Sequence, residues 1–300
     1  MEILSYVAVA VIVGATAYAL LRKALLSLAY AIAILAVFII DAVSIGLAIR
    51  EGNPFAPVVR IELGLLYTPG AFPDPWTWVT FQFVHGSSAH VLLNLLGLVL
   101  ISPVFEERVG RAAWALLFLA GGMVGAALFL ALNAGRDVFL LGASAGVFSV
   151  FGAYGRLYPK DRVRLFLPLP GIPALPVMQV VIGFLVIEMV LSLVGPPGIA
   201  WEAHVGGLLF GLAVAPFARA LGGRRRAPAK APSYESLRDL ATTRELEEIL
   251  REMRAADLPE VREAWLENFI RAARCPECGG TLRRRLGRIS SDCGWRRPLP

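Results

Sequence analysis

The sequence predicts an all-α polytopic membrane protein with a small helical and ribbon-like domain appended. Three observations predict it. Hydrophobic residues make up 57% of the 300 and charged residues only 17%, with a mean hydropathy of +0.64, which is too apolar for an ordinary soluble chain. The charge is segregated: residues 1–221 are apolar with short polar breaks, and residues 222–300 are rich in Arg, Glu and Asp. The apolar part also divides into runs of about 20 residues, the length that crosses a hydrocarbon core of about 30 Å.

Seven such runs are read from the sequence: 3–21, 24–49, 78–103, 112–133, 138–157, 174–195 and 200–220. The first has no basic stretch before it and no small-residue cleavage site ahead of Arg22-Lys23, so it is expected to stay as an extra N-terminal spanning helix (1–23). Basic residues in the short connections set the orientation. Arg22, Lys23, Arg108, Arg111, Arg156, Lys160, Arg162, Arg164, Arg219 and Arg224–226 fall on one side, against Arg50, Arg60 and Arg136 on the other. The first set is expected to be cytoplasmic, with the N-terminus outside and the tail inside. The net charge of +6 is thereby a signal of topology and of contact with membrane lipids, and no nucleic-acid partner is expected. The connection 50–77 holds five prolines yet also Leu63, Leu65, Leu66, Tyr67 and Phe72. Such a mixture is expected at the outer interface, with Trp76 and Trp78 at headgroup depth.

After the membrane domain (24–221), residues 222–233 read as a basic, proline-containing linker with Arg224-Arg225-Arg226. Residues 234–273 read as two amphipathic helices. Thr242 and Glu245 have capping-box spacing, followed at helical spacing by Leu246, Ile249, Leu250 and Met253. A second start at Asp257-Leu-Pro-Glu260 precedes Val261, Trp265, Phe269 and Ile270. In 274–300, Cys275-Pro-Glu-Cys278-Gly-Gly resembles the first knuckle of a zinc ribbon, and Cys293 ends a second whose first position is Ser290. Structural zinc normally takes four ligands. The three cysteines are therefore candidate ligands for a structural zinc, with Asp292 or a partner's side chain as the fourth, against a ribbon held by packing alone. The tail is expected to dock or regulate, with a cytoplasmic protein as its partner.

The chemistry lies in the apolar part. The chain has three histidines, His85, His90 and His204, none of them in the charged tail. A serine nucleophile needs a base, and histidine titrates near enough to neutrality to serve. In the predicted topology His90 and Asn94, Ser144, and His204 lie on three helices that run from outside to inside, each roughly 5–10 Å below its outer end. His90 and Asn94, four apart, share a helix face. Gly142 and Gly146 flank Ser144, and Gly207 and Gly211 follow His204. Small residues four apart let membrane helices approach closely. Singly, each of these groups could be interhelical hydrogen-bond glue; their gathering at one depth favours a reactive site. Gly142-x-Ser144-x-Gly146 also fits a nucleophile elbow, which needs a preceding strand in an α/β sheet and is rejected on its membrane-helical flanks. Asp41 and Glu188 are carboxylates inside spanning runs; Asp41 is expected to meet a polar partner within the bundle, Glu188 is unassigned, and neither is placed in the mechanism.

Taken jointly, these stretches resemble the rhomboid intramembrane serine proteases. His85-Gly-Ser-Ser-Ala-His90-Val-Leu-Leu-Asn94 is similar to the family's H-x(4)-H-x(3)-N signature, Gly142-Ala-Ser144-Ala to G-x-S-G with Ala145 in place of the last glycine, and Ala203-His204-Val-Gly-Gly207 to A-H-x-x-G. Glu106-Glu-Arg108-Val-Gly110 looks like the family's E-x-R-x-G element. The resemblance covers about 24–220. It implies a six-helix bundle and a Ser144–His204 dyad, with an oxyanion hole from His90, Asn94 and the Ser144 backbone N–H. Phe148 would pack on the His204 ring, and His85 would orient the start of its helix or the adjoining loop. It implies transmembrane protein substrates, no cofactor for catalysis, and a site open to the extracytoplasmic side. The competing readings are a catalytically silent rhomboid-like protein that binds membrane clients, and a small-solute transporter using Asp41 and Glu188. The transporter reading would carry repeat symmetry that the sequence lacks.

Overall fold

The computed structural model describes residues 1–53, 58–163, 175–194, 200–221, 234–256, 259–285 and 287–299. The basic linker 222–233 and the residues Asp257 and Leu258 lie outside this description. The chain forms two compact units, Met1–Pro159 with Met178–Gly223, and Lys160–Val177 with Arg224–Pro300. The loop Lys160–Val177 thus groups with the tail, although it joins two helices of the apolar part.

The first unit opens with α1 (Ile3–Leu21) and α2 (Leu26–Arg50). The first N–H groups of α2 have no intrahelical partner. The carboxylate of Glu106 accepts from Leu26 N at 2.7 Å and Ser27 N at 2.8 Å, so a distant acidic side chain caps this helix. The stretch that follows folds into α3 (Val59–Leu63), β1 (Leu65–Tyr67) and α4 (Thr77–Thr80). Next comes α5 (Ser88–Leu96), capped by Ser87, whose hydroxyl accepts from His90 N at 3.2 Å. A π-helical turn, Gly97–Ile101, carries the chain into α6 (Ser102–Val109). Pro103, lacking an N–H and crowding the preceding turn, accounts for the widened ladder there. Gly110, at φ +83°, then turns the chain into α7 (Arg111–Leu132); that left-handed angle suits only glycine well.

The run 138–157 does not form one helix. Val138–Leu140 is a strand, β2, paired antiparallel with β1 so that Leu65 faces Leu140. The helix α8 is the shorter segment Ser144–Leu157, about 21 Å long. A short apolar run does not itself distinguish strand from helix. Beyond β3 (Arg162–Val163) and β4 (Leu175–Pro176) come α9 (Val177–Val194) and α10 (Trp201–Leu221). Among the described residues, five helical stretches are long and apolar enough to cross a membrane: Ile3–Leu21, Leu26–Arg50, Ser88–Val109, Arg111–Leu132 and Trp201–Leu221. With the shorter α8 and α9 they make a polytopic helical protein.

The core of this unit has two parts. Tyr30, Phe83, Trp114 and Phe118 form an aromatic cluster, with ring centroids 5.0 Å apart for Tyr30–Phe83 and 5.1 Å for Trp114–Phe118. The helices α7, α8 and α10 pack through glycines. A Cβ on Gly207 or Gly211 would collide with the carbonyls of Ala145 and Ser149, and one on Gly146 would meet the Phe118 carbonyl at 2.6 Å.

In the second unit β3 and β4 pair antiparallel. A 3-10 turn, Glu235–Leu240, precedes α11 (Arg244–Ala255) and α12 (Pro259–Ala272). The residue that caps α11 is Thr243 rather than Thr242: its hydroxyl accepts from Leu246 N at 3.3 Å, and its backbone is extended. The expected apolar positions Leu246, Ile249, Leu250, Met253, Val261, Trp265, Phe269 and Ile270 are all buried. The Arg162 guanidinium lies 4.8 Å over the Trp265 ring, and Lys160 pairs with Glu252 at 3.1 Å. The chain ends in a three-stranded sheet of β5 (Arg283–Arg285), β6 (Arg288–Ser290) and β7 (Arg296–Pro298), in order β5-β6-β7.

Candidate active site

Ser144 is the first residue of α8, and the turn before it is tied from both sides. Gly142, at φ +116°, donates its N–H to the Phe81 carbonyl at 2.8 Å. A Cβ on Gly142 would lie 2.5 Å from His90 Nε2, so backbone angle and space both call for glycine. Ala143 donates its N–H to His85 Nε2 at 3.3 Å, so buried His85 holds the turn next to Ser144. The N–H groups of a first helical turn lack intrahelical acceptors and carry partial positive charge. The Ser144 N–H therefore sits where developing negative charge is favoured.

The hydroxyl of Ser144 lies 2.6 Å from His204 Nε2, across helices α8 and α10. Both residues are buried, at 8% and 6% exposure, which strengthens the interaction by excluding water. The His204 ring stacks on Phe148 with centroids 5.1 Å apart and planes at 27°. The close approach of Gly207 and Gly211 to the carbonyls of α8 brings the histidine within reach. His90 faces His85 edge-on at 4.9 Å. Asn94 lines one cleft with Leu93, Ser144, Phe148, Phe151 and Phe184, and one of its amide hydrogens goes to the His90 carbonyl at 2.9 Å. The cleft holds about 20 Å³ of space, enough for a water and far too little for a peptide.

The structure thus brings Ser144, His204, His90, Asn94, His85, Gly142 and Phe148 into one region. Sequence reasoning missed three features near it. Ser144 stands at a helix start, which depends on the turn and not on the motif. Gln82 is fully buried, donates Nε2–H to the Leu119 carbonyl at 3.2 Å, and lies against Gly122 and Gly146. Asp41 finds its partner in Arg60, with Arg60 N and Nε each 2.8 Å from its oxygens and Nη2 at 2.7 Å. Arg60 lies in the connection 50–77, and a partner in a connecting stretch leaves no periodic signal. The side chain of Glu188 lies outside the described residues.

The three cysteines lie in the other unit. Their sulfurs are all within 4.8 Å of one another, with Cys275 and Cys293 at 3.6 Å. Ser290, the position expected to complete the second knuckle, belongs to β6. It is Ser291 whose hydroxyl meets Cys278, at 3.5 Å, while Asp292 pairs with Arg283 at 3.4 Å. The Cys278 thiol is pushed down to about 7, first by the Ser291 hydroxyl and then by the Gly280 N–H. Clustered soft donors of this kind fit zinc.

Residues 73–220 match the model of the Rhomboid domain. The chain is 31% identical over 144 residues to "Rhomboid protease GlpG" of Yersinia enterocolitica serotype O:8 / biotype 1B, covering 47% of each chain. It is 29% identical over 153 residues to the protein of the same name from Yersinia pestis (strain Pestoides F), covering 50% of each, and 29% identical over 153 residues to that of Yersinia pseudotuberculosis serotype O:3 (strain YPIII). The chain spans about half the length of these relatives.

Proposed function

We propose that this chain, which belongs to the rhomboid family through residues 73–220, is an intramembrane serine endopeptidase that cleaves transmembrane segments near their outer ends. One observation carries the reading: a buried serine hydroxyl 2.6 Å from a histidine nitrogen on a neighbouring helix. Ser144 Oγ attacks the scissile carbonyl carbon as its proton passes to His204 Nε2. The oxyanion forms beside the N–H of Ser144, with Asn94 and His90 as further donors. The proton then moves from His204 to the leaving amine, the C–N bond breaks, and water hydrolyses the acyl-serine with His204 again as base. Phe148 supports the imidazole ring, and no metal or organic cofactor is assigned a step.

The excess of Arg and Lys on one set of connections supports a tail on the inner side and a site open to the outside. Substrates are transmembrane proteins, membrane lipids surround the bundle, and a cytoplasmic protein is the partner expected for the tail. A fluorophosphonate probe tests the reading. The purified protein should be labelled on Ser144, and a reconstituted transmembrane substrate should be cut. A folded protein that takes no label and cuts nothing would instead favour a silent client-binding member of the family.

A further inference from the structure

We propose that Cys275, Cys278 and Cys293 hold one zinc ion as three thiolates, with the Ser291 hydroxyl oxygen at the fourth corner. Around a tetrahedral zinc with Zn–S of about 2.3 Å, sulfurs sit about 3.8 Å apart, and a sulfur and an oxygen about 3.6 Å apart. The Cys275–Cys293 separation of 3.6 Å and the Cys278–Ser291 separation of 3.5 Å are close to two of these edges. The three sulfurs fit within 4.8 Å of one another without forming a disulfide: all three are free thiols.

The backbone prepares the corners. Gly279 N donates to the Cys275 carbonyl and Cys275 N to the Gly280 carbonyl, both at 2.9 Å. In the second loop Gly294 N donates to the Ser291 carbonyl at 3.1 Å and Ser291 N to the Trp295 carbonyl at 3.0 Å. Gly279 and Gly294, each immediately after a cysteine, both take a left-handed angle, +70° and +95°. The first loop closes from Cys275 and the second from Ser291, so the second is one residue tighter. That difference is why Ser291, and not Ser290, is presented to the sulfurs. Asp292 turns away to Arg283.

The ribbon also needs the ion. Among the described residues after Cys278, the buried apolar side chains are Leu282 and Ile289, and segments of this size are held by metal or cross-links when a core is lacking. Three thiolates select zinc over magnesium or calcium. An oxygen corner is weaker than a fourth thiolate, so the ion exchanges more readily than in a four-cysteine ribbon.

The experiment uses the full-length protein in detergent, with elemental analysis, zinc release to a chromogenic chelator, and cobalt substitution. We expect one zinc per chain and a cobalt form with thiolate charge-transfer and tetrahedral visible bands. Cys278→Ser should lose the ion. Ser291→Cys should retain it and release it about tenfold more slowly, and Asp292→Asn should release it at the native rate. These last two variants keep the three cysteines and so keep the test independent of folding. Unmetallated protein after growth with added zinc, another metal in its place, an unchanged release rate in Ser291→Cys, or faster release in Asp292→Asn would each overturn the assignment.

Discussion

At the residue scale, the hydroxyl of Ser144 and the imidazole of His204 are useful only to each other. Ser144→Ala leaves His204 nothing to deprotonate, and His204→Ala leaves the hydroxyl at its unreactive ordinary state. Each variant should abolish cleavage of a reconstituted transmembrane substrate, while chromatographic behaviour and helical circular dichroism stay those of the wild type. Near wild-type turnover in either would remove that residue from the proposed pair. Asn94→Ala should be milder. A principal oxyanion donor is worth about 10²–10³ in rate. In the proposed site the Ser144 N–H at the start of α8 and His90 would share the work, so the fall in kcat should be under about 10²-fold, and no fall at all would take Asn94 out of the site. The identities of these groups were legible in the sequence because polar residues in apolar runs stand out. The role of His85 was legible only in outline, since its acceptor bond to Ala143 N depends on a turn that no spacing rule encodes.

At the scale of elements, glycine decides how closely α10 meets α8. Gly207→Ala would drive a methyl group into the Ala145 carbonyl. The helices must separate, at about 1–3 kcal/mol in stability, and the Ser144–His204 contact must lengthen with them. Thermal unfolding in detergent and fluorophosphonate labelling should both fall. Gly183→Ala on α9, with open space around its added carbon, should change neither. The pair between α2 and α3 makes a second prediction. Asp41 is almost completely enclosed and receives Arg60 through three contacts. Arg60→Ala would remove the cation and leave the buried carboxylate the backbone N–H of residue 60, a loss of up to about 3 kcal/mol. Adding Asp41→Asn should restore part of that stability, because the stranded charge is gone; a strictly additive double variant would show that the two side chains do not interact. Although the run 78–103 splits into α4 and a helical stretch Ser88–Val109, most of the helices were legible from run length. The start of α8 was not, because Val138–Leu140 is as apolar as a helix and is drawn into a strand by pairing with Leu65–Tyr67, which lies far away in sequence. The cap of α11 shifted by one residue for a similar reason: adjacent threonines offer two candidates, and the backbone selects Thr243.

At the scale of the whole molecule, the question is how far the tail governs the chemistry. Ser144, His204 and all the side chains around them belong to the unit Met1–Pro159 with Met178–Gly223. The loop that belongs with the tail begins at Lys160, roughly 20 Å along α8 from the nucleophile. Its ties to the tail are the stacking of Arg162 on Trp265 and the Lys160–Glu252 pair. Exposed ion pairs contribute little, whereas a guanidinium over a partly enclosed indole contributes more. A chain ending after Leu221 would therefore keep the proposed Ser144–His204 pair, while Lys160 and Arg162 would lose Glu252 and Trp265. We expect the shortened protein to label with fluorophosphonate at a rate within a few-fold of the full chain, about 1 kcal/mol or less in activation free energy. Trypsin should cut it faster between Lys160 and Arg164. Trp265→Ala in the full chain should reproduce the faster cutting with labelling unchanged, and a chelator should leave labelling unchanged as well. If the shortened protein is folded and unlabelled, the tail acts on the site through α8 or α9, and the two units share the catalytic work.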